Sequence, residues 1–327
     1  TALVLTLMSG SMLWSGCSSD AEPASDQTIQ ALSILGSNAG IVGSMHAFDG
    51  IEAFVDALDR ESSLQAREML NNVLDRIGFD PEDMAIDAYF SFDATSSAET
   101  ISAVIFAPVT EELLQKASDG STIIERLNTN AHRHKIAYQD GNREASDDGI
   151  YASLIEDGLL LVANSRERLD QMHARAHGVN RETGETQPVV LSNLIHIASH
   201  NQVWFAAESA QQFLKGIPLE KLGREAQLLS GAISGVAIAF DLGAGRDGST
   251  EVTGTILLSP KDGVDVDDIV DLVEGLVALG KIQMEDQEHF TAILDRIEVS
   301  ELAGVARIAF GVSTSDIRSV QRKLGER

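Results

Sequence analysis

Residues 233–260 read ISGVAIAFDLGAGRDGSTEVTGTILLSP, and this stretch indicates the fold class more directly than any other part of the chain. Two runs rich in Val, Ile, Ala and Leu, Ile233–Phe240 and Val252–Leu258, flank the glycine-rich segment GAGRDG. Apolar runs of this length on either side of such a segment are typical of a β-hairpin. The stretch therefore predicts two antiparallel strands.

A second hairpin with the same layout is predicted earlier in the chain. Its strands, Met84–Phe92 and Ile101–Ala107, surround the loop ATSSAE. Both hairpins end in a small residue followed by proline, Ala107-Pro108 and Ser259-Pro260, and acidic helix starts come next. Strands that are paired in hairpins and separated by helices indicate the α+β class, in which helices pack on antiparallel sheets.

The elements before these hairpins also occur twice. A strand at Ile41–Ala47 precedes the helix-capping sequence Asp49-Gly50-Ile51-Glu52. A strand at Gln202–Ala207 precedes the capping sequence Ser209-Ala210-Gln211-Gln212, 160 residues further along. Because the order of strands, caps and breakers repeats, we predict two tandem related domains, each an antiparallel sheet packed with helices. Their predicted bounds are residues 38–180 and residues 189–327.

The N-terminus has the features of an export signal. Residues 1–19 carry no charge, and residues 2–14 are an apolar stretch of the length found in signal peptides. The sequence Trp14-Ser15-Gly16-Cys17 then resembles the lipobox of bacterial lipoproteins, in which a small residue precedes the cysteine. This resemblance implies a signal peptide at residues 1–16 and acylation of Cys17, for example by palmitate. We expect residues 17–37 to be a polar tether.

Composition excludes several classes of function. The chain has 50 acidic and 24 basic residues and a net charge of −26, so its surface repels nucleic acid and anionic lipid headgroups. Its single cysteine excludes an intrachain disulfide. After Cys17 no uncharged apolar run approaches the roughly 18 residues of a membrane span. We therefore expect a lipid-anchored protein of the cell envelope, periplasm-facing or in the outer membrane, with the leaflet left open.

Three motif-like segments lack the context that their chemistry needs. Gly275–Lys281 has the spacing of a phosphate-binding loop, but it continues an apolar helix and Ile282 replaces the required hydroxyl residue. Gly243–Gly248 matches GxGxxG, but a strand follows where a dinucleotide site needs a helix. The acidic segment Asp262–Asp271 lacks the ligand spacing and glycine of an EF-hand loop. We therefore predict no cofactor.

Histidines form two pairs at a spacing of four residues, which places both rings of a pair on one helix face. The pairs are His173 with His177, and His196 with His200. Neither pair belongs to the HExxH sequence of zinc hydrolases, and no third ligand is evident. We predict no metal site, while metal binding by these histidines stays open.

Trp204 is the only tryptophan after the predicted signal peptide. Alternation along its strand places Val203, Phe205 and Ala207 on one face, taken as the core, and Trp204 on the opposite face. Either a helix or the other domain covers the indole ring, or the ring is a contact surface for a partner. Both alternatives stay open.

The function best supported by these patterns is that of a non-enzymatic, lipid-anchored envelope protein with a scaffold or partner-binding role. Its partners would be the membrane, through the lipid, and a protein of the envelope. A first alternative is a periplasmic binding module for a small or amphiphilic ligand. A second is an enzyme whose catalytic residues do not match a known pattern, since the chain has neither a GxSxG sequence nor a cysteine outside the leader segment.

Overall fold

The computed structural model describes residues 24–36, 40–46, 87–93, 100–107, 110, 123–128, 133–137, 150–156, 158–178, 189–209, 224–244, 250–284, 288–313 and 316. The helices in this part of the chain are α1 (Asp26–Leu35), α2 (Arg166–Ala176), α3 (Val189–Ala198), α4 (Arg224–Ala232), α5 (Val266–Gln283) and α6 (Glu288–Leu294). The strands are β1 (Ile41–His46), β2 (Asp87–Asp93), β3 (Thr100–Phe106), β4 (Ile123–Asn128), β5 (Arg133–Ala137), β6 (Ile150–Glu156), β7 (Leu159–Ala163), β8 (Val203–Ala207), β9 (Ile233–Ala244), β10 (Thr250–Pro260), β11 (Glu298–Leu302) and β12 (Val305–Ser313).

All twelve of these strands belong to one antiparallel sheet. Their order across the sheet is β11-β12-β10-β9-β8-β1-β2-β3-β7-β6-β5-β4. With the helices packed on it, this sheet makes the protein α+β, as predicted. The arrangement as two tandem domains, each with a sheet of its own, is not confirmed, because β1 pairs with β8 and joins the strands of both parts of the chain.

One face of the sheet, called here the inner face, carries the larger hydrophobic core. Helices α1, α2 and α3 pack on it, α1 over β2 and β3, and α3 over β8, β9 and β10. Strand residues contribute Tyr89, Leu161 and Trp204 to this core, and the helices contribute Leu35 and Leu194. The core therefore runs across the β1–β8 junction and unites residues from both parts of the chain.

The opposite face, called here the outer face, has a second core near the β12 end of the sheet. Ile269 and Val273 of α5 pack there with Val236 and Leu258 of the sheet, and α4 adds Leu229. Helix α6 contacts α5 and β12. Because α5 begins at the N-cap Asp265, whose carboxylate accepts a hydrogen bond from the Asp267 amide, the acidic helix start predicted after Pro260 is confirmed.

Helix α1 lies inside the segment expected to be a polar tether, so that expectation is wrong beyond residue 25. Ser25 is its N-cap and accepts a hydrogen bond from the Thr28 amide. The helix ends at Gly36, which adopts a left-handed backbone with φ of 81°. Its apolar side chains recur at helical spacing and are buried in the core of the inner face, so this segment is part of the folded body.

Both predicted hairpins are confirmed, β2 with β3 and β9 with β10. Strands β4, β5 and β11 were not predicted. The predicted signal peptide, Cys17 and the capping sequence Asp49-Gly50-Ile51-Glu52 lie outside the described residues. Within the described residues, no helix is both long enough and apolar enough to span a bilayer.

Candidate functional site

A cluster of polar side chains lies on the inner face, where β1, β2 and α1 meet. Ser44 and His46 are two residues apart in β1 and therefore point to the same face, and Asp87 is opposite His46 in the β1–β2 register. The Ser44 Oγ to His46 Nε2 distance is 2.8 Å, and the His46 Nδ1 to Asp87 Oδ1 distance is 3.0 Å. Gln27 of α1 donates to Asp87 Oδ2 at 3.0 Å. These four side chains are called the polar cluster.

Its order of hydroxyl, imidazole and carboxylate is the order found in nucleophilic hydrolases. However, the Ser44 side chain is fully buried, and β1 is paired on both sides. Attack on a substrate needs a reachable hydroxyl and free N–H donors for the oxyanion, and amides engaged in two strand ladders do not supply them. In this structure the polar cluster instead connects α1 to the sheet, through Gln27.

A second hydrogen-bonded group next to the polar cluster strengthens this connection. Thr28 Oγ1 lies 3.1 Å from Tyr89 Oη, and Ser25 Oγ lies 2.8 Å from Thr28 Oγ1. Burial raises the pKa of Tyr89, while its hydrogen bonds to Thr28 and Ser25 act in the opposite direction and the Asp87 charge adds to the rise. Tyr89 also contacts the His46 ring edge-on, with 5.4 Å between the ring centroids.

Sequence reasoning did not identify the polar cluster. A Ser-x-His sequence in a strand places both side chains on one face, and that much is visible in the sequence. The position of Asp87 opposite His46 depends on the pairing register of two strands separated by 40 intervening residues, 47–86. Period-2 alternation contains no information about that register.

Trp204 is fully buried in the core of the inner face, so the alternative that its ring forms a contact surface is wrong. The ring lies on the side of the sheet that α3 covers, and the alternative of a covering helix is confirmed. Among the residues that the structure describes, its indole Nε1 has no hydrogen-bond partner. Val203 and Phe205 point to the outer face, as the alternation requires. The hydrophobic core at β8 contains Trp204 and Ala206 of the opposite face, so the assignment of the Val203 face to the core is wrong.

The histidine pairs lie at the ends of α2 and α3. The rings of His173 and His177 are 4.5 Å apart, but His177 is the C-cap of α2. His196 Nδ1 accepts a hydrogen bond from the Ala24 amide at 3.4 Å, and His200 lies in the turn after α3. In the described ranges, no three His, Cys, Asp or Glu residues are grouped so that they could hold a metal ion.

Two motif-like segments are placed in structural elements. Gly275–Lys281 lies within α5, and residues 243–244 with residue 250 belong to the paired strands β9 and β10. A phosphate-binding site of either type needs a loop before a helix N-terminus, whereas Gly275–Lys281 is helical and residue 250 begins a strand.

Aromatic side chains form a row on the outer face, across the junction of β2, β8 and β9. The centroids of the Phe90 and Phe205 rings are 5.3 Å apart, and those of Phe205 and Phe240 are 6.2 Å apart. The Phe90 ring lies directly over Gly43, where a Cβ would come within 2.5 Å of it. This set of three phenylalanines is called the phenylalanine row, and its rings are half-buried.

Helix α5 turns a stripe of exposed residues away from the sheet. Asp268, Asp271, Gly275, Leu279 and Ile282 follow one another at spacings of three or four, so they share one helix face opposite Ile269 and Val273. All five are exposed. This α5 stripe is acidic in its first half and apolar in its second.

Comparisons with known proteins add little. No family model matches the chain, and no curated protein matches it. Among solved structures, crystal form III of TP0453 is similar with a TM-score of 0.47 and 13% identity, covering 89% of this chain and 96% of that one. Crystal form IV of TP0453 gives a TM-score of 0.46 and 12% identity, covering 89% and 95%. Similarity at this level carries no argument about function.

Proposed function

We propose that the protein is a non-enzymatic, lipid-anchored protein of the cell envelope that binds a protein partner through the α5 stripe. The observation that supports partner binding is the exposure of two large apolar side chains on one helix face. Leu279 is 40% exposed and Ile282 is 71% exposed, three residues apart. Exposed apolar side chains that adjoin one another are typical of interaction sites, whereas single ones are ordinary on protein surfaces.

The charge of the α5 stripe defines the chemistry of the partner. Asp268 and Asp271 continue the line of Leu279 and Ile282 toward the helix start, and Glu274 is exposed beside them. A complementary surface therefore carries an apolar patch bordered by Lys or Arg side chains. Anionic lipid headgroups would be repelled by the same carboxylates, so we propose a protein and not a membrane surface as the occupant.

The predicted anchor keeps the folded body close to the membrane. Since α1 begins at Asp26, the tether between Cys17 and the body is residues 17–25, which span at most about 30 Å when extended. A partner of the α5 stripe is then itself an envelope protein, because it has to come within that reach.

The anchor is tested by replacing the acylated residue. Full-length protein produced in a bacterium is expected to partition into detergent and to have the mass of an acylated chain. The variant Cys17→Ser is expected to stay in the aqueous phase, uncleaved and without the added mass. Equal partitioning and equal mass increments in both proteins would contradict the proposed anchor.

The α5 stripe is tested by site-specific photo-crosslinking in the producing cells. A photo-reactive benzoylphenylalanine replaces Ile282 in one protein and Ile29 in the control, since Ile29 is 56% exposed but stands alone on α1. We expect a protein adduct of one defined mass at position 282 only. The crosslinked peptide of the partner, identified by mass spectrometry, should contain Lys or Arg.

Charge variants decide whether the adduct depends on the proposed chemistry. The pair Asp268→Asn and Asp271→Asn should reduce the yield of the adduct at position 282 several-fold. Lipid adducts at position 282 would favour a membrane surface. The absence of any adduct, or equal yields at positions 282 and 29, would reject the α5 stripe as the binding site.

A second candidate function, binding of an amphiphilic ligand, is favoured by the phenylalanine row. Its three rings form a continuous apolar surface beside Gly43, on the face opposite the larger core. Titration with the neutral fluorescent probe N-phenylnaphthylamine tests this. Saturable binding that is lost in Phe205→Ser and kept in Leu279→Ser would support the ligand-binding function, and non-saturable or unchanged fluorescence would reject it.

A further inference from the structure

The pairing of β1 with β8 is symmetrical. Ser44 lies opposite Trp204, and these two residues are also matched by the sequence offset of 160. Gly43 lies opposite Phe205 and Met45 lies opposite Val203, while the same offset matches Gly43 with Val203 and Met45 with Phe205. Exchanging β1 with β8 therefore maps the ladder onto itself. A twofold axis perpendicular to the sheet passes through the Ser44–Trp204 pair.

The strands on either side of this axis follow the same order. Outward from β1 the order is β1-β2-β3-β7-β6, and outward from β8 it is β8-β9-β10-β12-β11. On each side the third strand (β3 or β10) pairs with the second strand of a later hairpin (β7 or β12). The first strand of that hairpin (β6 or β11) comes next in the sheet. In the described part of the chain, strands β5 and β4 extend the first side and have no counterpart on the second.

Helices α1 and α3 are related by the same twofold axis. Helices α1 and α3 precede β1 and β8, and each packs on the inner face over the neighbouring strands. Four of the five buried positions of α1 match buried positions of α3 at a constant offset of 163 residues. These matched buried residues are Thr28 with Leu191, Ala31 with Leu194, Leu32 with Ile195, and Leu35 with Ala198.

We infer that the β1–β8 contact is an isologous interface between two related halves of the chain, and that the residues on its axis restrict each half to pairing with the other. In an isologous interface the same surface of each partner meets its own copy. Here the occupant of that surface is the second half of the same chain. A second copy of the chain could take its place only by exchange of whole halves.

One row of buried side chains across the axis explains the restriction. The strand registers align the row in the order Val104, Tyr89, Ser44, Trp204 and Ala239, with the half-buried Thr255 at its end. The axis relates Ser44 to Trp204 and Tyr89 to Ala239. At each of these two positions one half has a large residue and the other has a small one. The large Tyr89 is beside the small Ser44, and the large Trp204 is beside the small Ala239.

Pairing of identical halves would not fill this row. Two first halves would place Ser44 opposite its own copy and leave a space where the indole ring now lies. Two second halves would place two copies of Trp204 opposite each other, with Cβ atoms about 5 Å apart. Because protein interiors are close-packed, the first arrangement has a cavity and the second has a collision. The pairing of unlike halves fits.

The test moves the large residues across the axis in the chain without its predicted signal peptide. The first variant combines Ser44→Trp with Trp204→Ser. The second adds Tyr89→Ala and Ala239→Tyr, so that every large and small residue has moved to its symmetry-related position. Two further proteins carry Tyr89→Ala without Ala239→Tyr, one in the parent and one in the first variant. Thermal unfolding gives the Tm of each protein, and light scattering gives its mass.

The inference requires a reversal of sign for Tyr89→Ala. We expect it to lower Tm in the parent, where it leaves a cavity, and to raise Tm in the exchanged pair, where it makes room for the new indole. The fourfold variant should exceed the twofold variant by roughly 5 °C or more, a shift of the size that a few well-packed side chains produce. If the twofold variant does not fold, folding of the fourfold variant supports the inference equally.

Two results would overturn the inference. One is a fourfold variant that is no more stable than the twofold variant, or that is unfolded like it. If the two halves resembled each other only by chance, each added change in the core would simply destabilise the protein. The other is a parent that is dimeric in light scattering through exchanged halves, because the axis residues would then not select pairing within one chain.

Discussion

Helices α1 and α3 occupy matching places on the inner face of the sheet, but they are held there by different chemistry. Helix α3 buries Leu191, Leu194 and Ile195 in the core that also contains Trp204. Helix α1 buries apolar residues too, but its N-terminal half adds hydrogen bonds from Gln27 to Asp87 and between Thr28 and Tyr89.

The C-terminal end of α1 is polar as well. The Leu35 carbonyl accepts hydrogen bonds from Arg168 Nη2 at 2.6 Å and from Arg175 Nη1 at 3.2 Å, both from α2. These donors satisfy a carbonyl that has no partner within its own helix, and their charge is favourable at a helix C-terminus. Two helices at matching places on the sheet therefore differ in their contacts: α3 contributes buried apolar side chains, and α1 adds hydrogen bonds at both of its ends. The two helices should respond to different perturbations.

The largest expected effect is on α3. Leu194→Ala removes a fully buried side chain from the core and should reduce the free energy of unfolding by about 3 kcal/mol. Leu279→Ala, on the exposed α5 stripe, is the matched control and should change it by less than about 0.5 kcal/mol. Urea unfolding measures both. Equal losses in the two variants would contradict the assignment of α3 to the core.

A smaller effect, of a different kind, is expected on α1. Thr28→Val and Tyr89→Phe each leave one buried hydroxyl without this partner and should each reduce the free energy of unfolding by about 1–2 kcal/mol. The double variant should cost less than the sum, because neither group then remains unsatisfied. Strict additivity in this double-mutant cycle would show that the Thr28–Tyr89 contact does not attach α1 to the sheet.

Local patterns in the sequence were sufficient for the parts of the fold that local chemistry determines. The β9–β10 hairpin follows from two apolar runs around glycines, and the start of α5 follows from its acidic cap at Asp265. Helix α1 was missed because the segment from Ser18 to Gln30 is polar in composition, so the apolar residues Ala31–Leu35 were attributed to the end of a tether. Four buried apolar residues within ten are enough for a helix when they pack into a core.

Features that depend on pairing between distant strands could not be predicted from the sequence. Alternation divides β8 into two faces but does not say which of them is buried, and here Val203 and Trp204 are both buried although they lie on opposite faces. The polar cluster needs the β1–β2 register, and the symmetry axis needs the β1–β8 register. Neither register can be inferred from the composition of a single strand.

The smallest expected effect compares the helix starts that follow the last strand of each half, at Ser165 after β7 and at Ser313 after β12. Ser165 accepts a hydrogen bond from the Arg168 amide, and the residue three positions after this N-cap is therefore basic. At the second start, Ser313 Oγ accepts from the Asp316 amide at 3.1 Å, and Asp316 Oδ2 accepts from the Ser313 amide at 3.0 Å, a reciprocal capping box. Arg296 Nη1 also contacts Asp316 Oδ2 at 2.7 Å.

Only the second start should therefore respond to acid. Partial burial acts to raise the pKa of Asp316, but the hydrogen bonds from Ser313 and the contact with Arg296 outweigh it and hold this pKa below the ordinary value of 3.8. A carboxylate with a lowered pKa stabilises the fold above its unfolded pKa, and that stability is lost as the pH falls through the folded value. We expect Asp316→Asn to cost about 1 kcal/mol at pH 7 and progressively less below pH 3.8. Ser165→Ala should cost a similar amount at both pH values, since no carboxylate is part of that cap. Urea unfolding of the two variants and the parent at neutral and acidic pH measures this, and a cost of Asp316→Asn that does not change with pH would contradict it.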